Sequence, residues 1–107
     1  MKLIKENKNI IPALAKVSGI PEERLVKING PHAISNWAHL GIYYAREEEG
    51  HTLAAAGDLF NRSFAGANLA CIKVQKALQD PEFKDDIETN LKTLRNEITK
   101  LENQNQK

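Results

Sequence analysis

The sequence predicts an all-α fold in one domain, two short helices followed by a bundle of three longer ones, and three observations carry that prediction. First, apolar residues recur at helical spacing. Over residues 52–79, Leu53, Ala56, Phe60, Phe64, Ala67, Cys71, Val74 and Leu78 follow one another at intervals of three and four, which a single helix gathers on one stripe. Second, strand signals are missing: no run of β-branched residues alternates, and the one Asn-Gly pair, Asn29-Gly30, follows a helical pattern. Third, the chain of 107 residues is 41% hydrophobic but only 6% aromatic. That is enough for one modest core, filled mainly by leucine, isoleucine and alanine.

The elements follow in order. Residues 1–9 offer one polar helical turn or a loose arm. Pro12 suits the first turn of a helix with Ile11, Leu14 and Ala15 on its apolar side, and Ser18-Gly19 ends it. A second helix starts at Pro21, with Glu22 and Glu23 at the positive end of its dipole and Leu25 and Ile28 turned inward. Asn29-Gly30-Pro31 closes that head, residues 1–31. The bundle, residues 32–103, begins with a helix over 33–49 that places Ile34, Trp37, Leu40 or Gly41, and Tyr44 on one face. Gly50 breaks it, and Thr52 caps the long helix over 52–79. The small residues of that helix, Gly57 and Gly66 among them, suit a close neighbour, at a cost of about 1 kcal/mol per glycine in helix propensity. Asp80-Pro81 stops it. A last helix over 82–103 carries Ile87, Leu91, Leu94, Ile98 and Leu101 at heptad-like steps, a stripe that either packs within the fold or pairs with a second copy. Residues 104–107 are a polar tail.

Charge is uneven although the total is only +1. Residues 1–31 carry six basic and three acidic side chains, a net of +3, and residues 80–107 carry five basic and seven acidic, a net of −2. A basic head permits contact with nucleic acid. The same head has two short helices around a glycine turn, in which Ala15 is small where the helices cross and Gly19 can take a positive φ. The stretch LAKVSGIPEERLVKI, within residues 10–30, resembles the helix-turn-helix of the phage-repressor type of bacterial regulators. The resemblance implies that Pro21, Glu22, Glu23, Arg24 and Lys27 face the major groove; by charge, Arg24 and Lys27 are the expected contacts to bases or phosphates, with Lys16 and also Lys5 or Lys8 on backbone phosphates. It also implies a small, non-enzymatic DNA-binding protein of transcription regulation, dimerising through the long helices so that two heads address two half-sites. Against this, Glu22 and Glu23 repel phosphate, so the same residues also read as a compact helical corner, or one turned toward protein.

The competing expectation is a protein–protein interaction module, an adaptor, chaperone or inhibitor, presenting an exposed apolar strip around Tyr43 or along Leu94 and Leu101. Trp37-x-x-Leu40-Gly41-x-x-Tyr44 followed by Ala56-x-x-x-Phe60 resembles one tetratricopeptide hairpin over 34–65, which implies peptide binding. Chemistry is sparse. Glu48-x-x-His51 has the spacing of a carboxylate–imidazole pair in di-iron bundles, and AREEEGHTLAAAGDLF resembles a stretch of rubrerythrin-like proteins. A two-iron site needs further glutamates, however, and a solvated acidic turn accounts for the same residues. His32 and His39 share a helix side without a Cys or Asp partner. No cofactor, metal or catalytic residue is therefore expected. The single cysteine, Cys71, reads as a buried packing residue of a reducing compartment. With no apolar stretch of membrane-spanning length, a cytoplasmic location is the expectation.

Overall fold

Each helix of this chain starts or stops at a residue whose chemistry requires it, and the computed structural model, which describes residues 9–27 and 32–105, contains six of them. The all-α expectation holds. Helix α1 (Ile10–Ser18) buries Ile10, Ala13 and Leu14 and ends at Gly19, whose φ of 75° lies in the left-handed region open to glycine. The Gly19 N–H donates to the Ala15 carbonyl at 2.9 Å, and the Ile20 N–H donates to Ser18 Oγ at 3.1 Å. Helix α2 (Glu22–Leu25) is a single turn behind Pro21, with Leu25 fully buried. It is shorter than the sequence predicts, because the backbone leaves helical geometry at Val26, whose carbonyl is bound by Asn61 Nδ2 at 3.3 Å. Residues 28–31, including the expected anchor Ile28 and the closing Asn29-Gly30-Pro31, lie outside the described residues.

Helix α3 (His32–Glu47) buries Ala38, Leu40, Ile42, Tyr44 and Ala45. The expected face was narrower: Trp37 is only half-buried, and the side chain of Ile34 lies outside the described residues. Gly41 has the closest neighbours of Gly19, Gly41, Gly57 and Gly66. A Cβ there would stand 2.5 Å from Phe60 Cζ and 2.9 Å from Leu14 Cδ2. Helices α1, α3 and α4 thus converge on a position with no side chain. Gly50, at φ 75°, ends the α3 turn, and the His51 N–H donates back to the Ala45 carbonyl at 3.1 Å.

The long helix expected over 52–79 is two helices, α4 (Leu53–Leu59) and α5 (Phe64–Gln79). Three residues impose the break. Asn61 takes φ 57°, the Asn61 N–H donates to the Asp58 carbonyl at 3.2 Å, and the Arg62 N–H donates to the Gly57 carbonyl at 2.8 Å. These paired bonds around a left-handed residue form a Schellman termination, with asparagine in the usual place of glycine. Ser63 then caps α5 by accepting the Gly66 N–H at 3.1 Å, as Thr52 caps α4 by accepting the Ala55 N–H at 3.1 Å. The corner packs α4 back on α5, and a Cβ at Gly57 would meet Ala67 Cβ at 3.0 Å. Gly66 has only ordinary contacts, so Gly57 and Gly41, rather than Gly66, serve close approach.

Helix α6 (Lys84–Asn105) follows a turn in which Asp80 Oδ1 accepts the Glu82 N–H at 2.9 Å. Its stripe is used inside the subunit: Leu91, Leu94 and Ile98 are buried against α1 and α5, with Ile87 and Leu101 half-buried beside them. Helix α3 packs along α5, α1 lies across α3 and α6, and Phe60, Ile10, Leu14, Leu25, Ile42 and Leu94 form the fully buried centre. Among the described residues no helix is long and apolar enough to cross a membrane.

Candidate functional site

The residues expected on DNA divide into two groups. Glu22, Glu23, Arg24 and Lys27 are exposed together on and just after α2. At about 1.5 Å of rise per residue, that one turn is only about 6 Å long. Lys16 is drawn elsewhere: its Nζ stands 3.2 Å from Glu97 Oε2 on α6, a carboxylate whose side chain is only 10% exposed. Lys5 and Lys8 lie outside the described residues. Besides its core packing, the described part of the head has polar ties to the bundle through Lys16 to α6 and through Val26 to the α4–α5 corner.

Glu48 and His51 do not converge. Helix α3 has ended before them, and the Glu48 carboxylate takes a two-pronged contact from Arg95 on α6, Nε donating to Oε1 at 2.8 Å and Nη2 to Oε2. That hydrogen bond holds the Arg95 guanidinium above its usual pKa. His51 is buried and faces the Glu49 carboxylate instead, with Nε2 3.7 Å from Oε1. Tyr44 lies nearby, its hydroxyl pushed up to about 12 by burial first and then by Glu49, Glu48 and Glu102. No group of three or more metal-binding side chains occurs among the described residues. Cys71 is buried, and burial pushes its thiol up, so it stays a protonated packing residue.

The surface that stands out lies on α5. Buried Ala67, Ala70, Cys71 and Val74 take one side of this helix. The opposite side presents Leu69, 53% exposed, and Ile72, 37% exposed, with Phe64, 64% exposed, at the helix start. Phe64 belongs to the stripe read along 52–79, and the corner at Asn61–Ser63 turns it out to solvent. The strips anticipated around Tyr43 and along Leu94 and Leu101 are not the exposed ones: Leu94 is fully buried, and Tyr43 and Leu101 are half-buried. Leu69 and Ile72 were legible as apolar residues lying off the stripe, a signal the periodicity count passes over.

Beside this face, α3, α5 and the start of α6 enclose a cleft of about 470 Å³. Trp37, Leu40, Val74, Ala77, Phe83 and Ile87 make its apolar lining, and Phe83 is 47% exposed. Asn36, His39, Lys73 and Asn90 supply the polar groups. His39 is lowered to about 4, by burial first and then by the charges of Lys73 and Arg62, so its imidazole is neutral at neutral pH. Comparison of the chain with protein-family models, with curated proteins and with solved structures gives no match.

Proposed function

We propose that this chain is a non-enzymatic, cytoplasmic protein-interaction module, an adaptor or inhibitor, that binds another polypeptide through the outer face of α5. One observation carries the reading. Phe64, Leu69 and Ile72 are exposed on a helix whose opposite side already supplies the core, so their exposure has no role in folding. Large apolar side chains grouped in solvent mark contact surfaces. Charge specifies the partner. Helix α5 has no acidic residue, and Lys73 and Lys76 flank the apolar group. A second copy would bring the same lysines to the interface, whereas an amphipathic helix with carboxylates beside its apolar stripe complements both features.

The DNA-binding regulator is the second reading, favoured by the left-handed Gly19 turn between α1 and α2 and by exposed Arg24 and Lys27. Affinity capture with purified chain separates the two. Leu69→Lys with Ile72→Lys, both at exposed positions, is expected to keep the fold and lose the captured partner, while Arg24→Ala with Lys27→Ala retains it. Salt-dependent binding to duplex DNA that the Arg24/Lys27 variant loses and the Leu69/Ile72 variant keeps would overturn the interaction reading.

A further inference from the structure

We propose that the cleft between α3, α5 and the start of α6 binds a small amphipathic anion, a hydrocarbon body carrying one carboxylate. Its volume of about 470 Å³ falls within the range of small-molecule sites. The lining has the composition such a ligand needs. Leu40, Val74, Ala77 and Ile87 form an apolar floor, and Trp37 from α3 and Phe83 from the turn before α6 add aromatic surface. Phe83 is 47% exposed, so it contributes more to the cleft wall than to the core.

Charge narrows the class further. Among the described lining residues Lys73 is the one lysine or arginine, His39 is held neutral, and Asn36 and Asn90 are amides. Among the described residues no carboxylate lines the cleft. One ammonium above an apolar floor matches one negative charge, and the amides and imidazole can hydrogen-bond the second oxygen of a carboxylate. This site is separate from the outer face of α5, although Lys73 stands on the border between them.

Trp37 is the single tryptophan of the chain, so its fluorescence reports occupancy directly. Decanoate, titrated below its micelle concentration, is expected to give a saturable change in Trp37 emission. Decanol is expected to bind roughly five-fold more weakly, the size of a partly exposed charge contact. Lys73→Gln should bring the two ligands to similar affinity, Phe83→Ser should weaken both, and Lys76→Gln and Leu69→Lys should leave the wild-type preference in place. A folded protein without a saturable response to decanoate overturns the proposal. So does equal binding of decanoate and decanol by the wild type, or a preference that survives Lys73→Gln.

Discussion

Gly41 is where α1, α3 and the end of α4 meet on a hydrogen atom. A methyl group there collides with the Phe60 ring and with Leu14. Overpacking of that kind costs roughly 1–3 kcal/mol, while replacing a mid-helix glycine returns up to about 1 kcal/mol. Gly41→Ala is therefore expected to lower stability by about 1–2 kcal/mol in urea denaturation. At Gly66, where the nearest atoms stand 3.4 and 3.6 Å away, the same substitution is expected to raise it by as much as about 1 kcal/mol. His39 gives a second prediction at this scale. Its folded pKa, about 4, lies below the ordinary 6.5, so the folded protein binds fewer protons than the unfolded chain through that interval. The resulting stability is present above pH 6.5 and is lost as pH falls toward 4. Lys73 and Arg62 are the charges facing the ring. His39→Gln should remove this part of the acid sensitivity, seen as a smaller fall in the denaturation midpoint between pH 6.5 and 4.

At the scale of elements, the corner between α4 and α5 decides which apolar residues are core and which are surface. Ser63→Ala removes the acceptor for the Gly66 N–H and should cost about 1 kcal/mol. Asn61→Gly keeps the left-handed conformation available but loses the bond to the Val26 carbonyl and should cost about 1 kcal/mol, whereas Asn61→Val loses both and should cost about 2–3 kcal/mol; both are read from denaturant midpoints. The boundaries set by strong local chemistry were legible from the residues: Pro12 and Gly19 around α1, Thr52 before α4, Asp80-Pro81 after α5. The break at Asn61–Ser63 was not, because the apolar intervals run through it without a gap. Its signal is an asparagine able to take a positive φ two residues before a capping serine, weaker than a glycine or a proline. The second head helix came out too long for a similar reason. Leu25 alone anchors the described turn, and propensity beyond it yields to the bond from Asn61 to Val26.

Over the whole molecule, the heptad stripe of α6 is consumed by α1 and α5, and the basic head is partly neutralised by Glu97. What stays outward is the apolar and basic face of α5, with the Phe83 cleft beside it. The composition of this surface was present in the sequence, but its position was not: burial of Leu94, and exposure of Leu69 and Phe64, depend on which helices pack together, which spacing along one helix does not specify. The proposed function requires that face of α5 to meet a protein while the α2 turn meets nothing of comparable specificity. The direct measurement is photo-cross-linking in the cell of origin, with a reactive side chain placed at position 72 in one variant and at position 24 in another. The account predicts a discrete protein adduct from position 72, abolished by Leu69→Lys, and none from position 24. Nucleic-acid adducts from position 24, with none to protein from position 72, would contradict it.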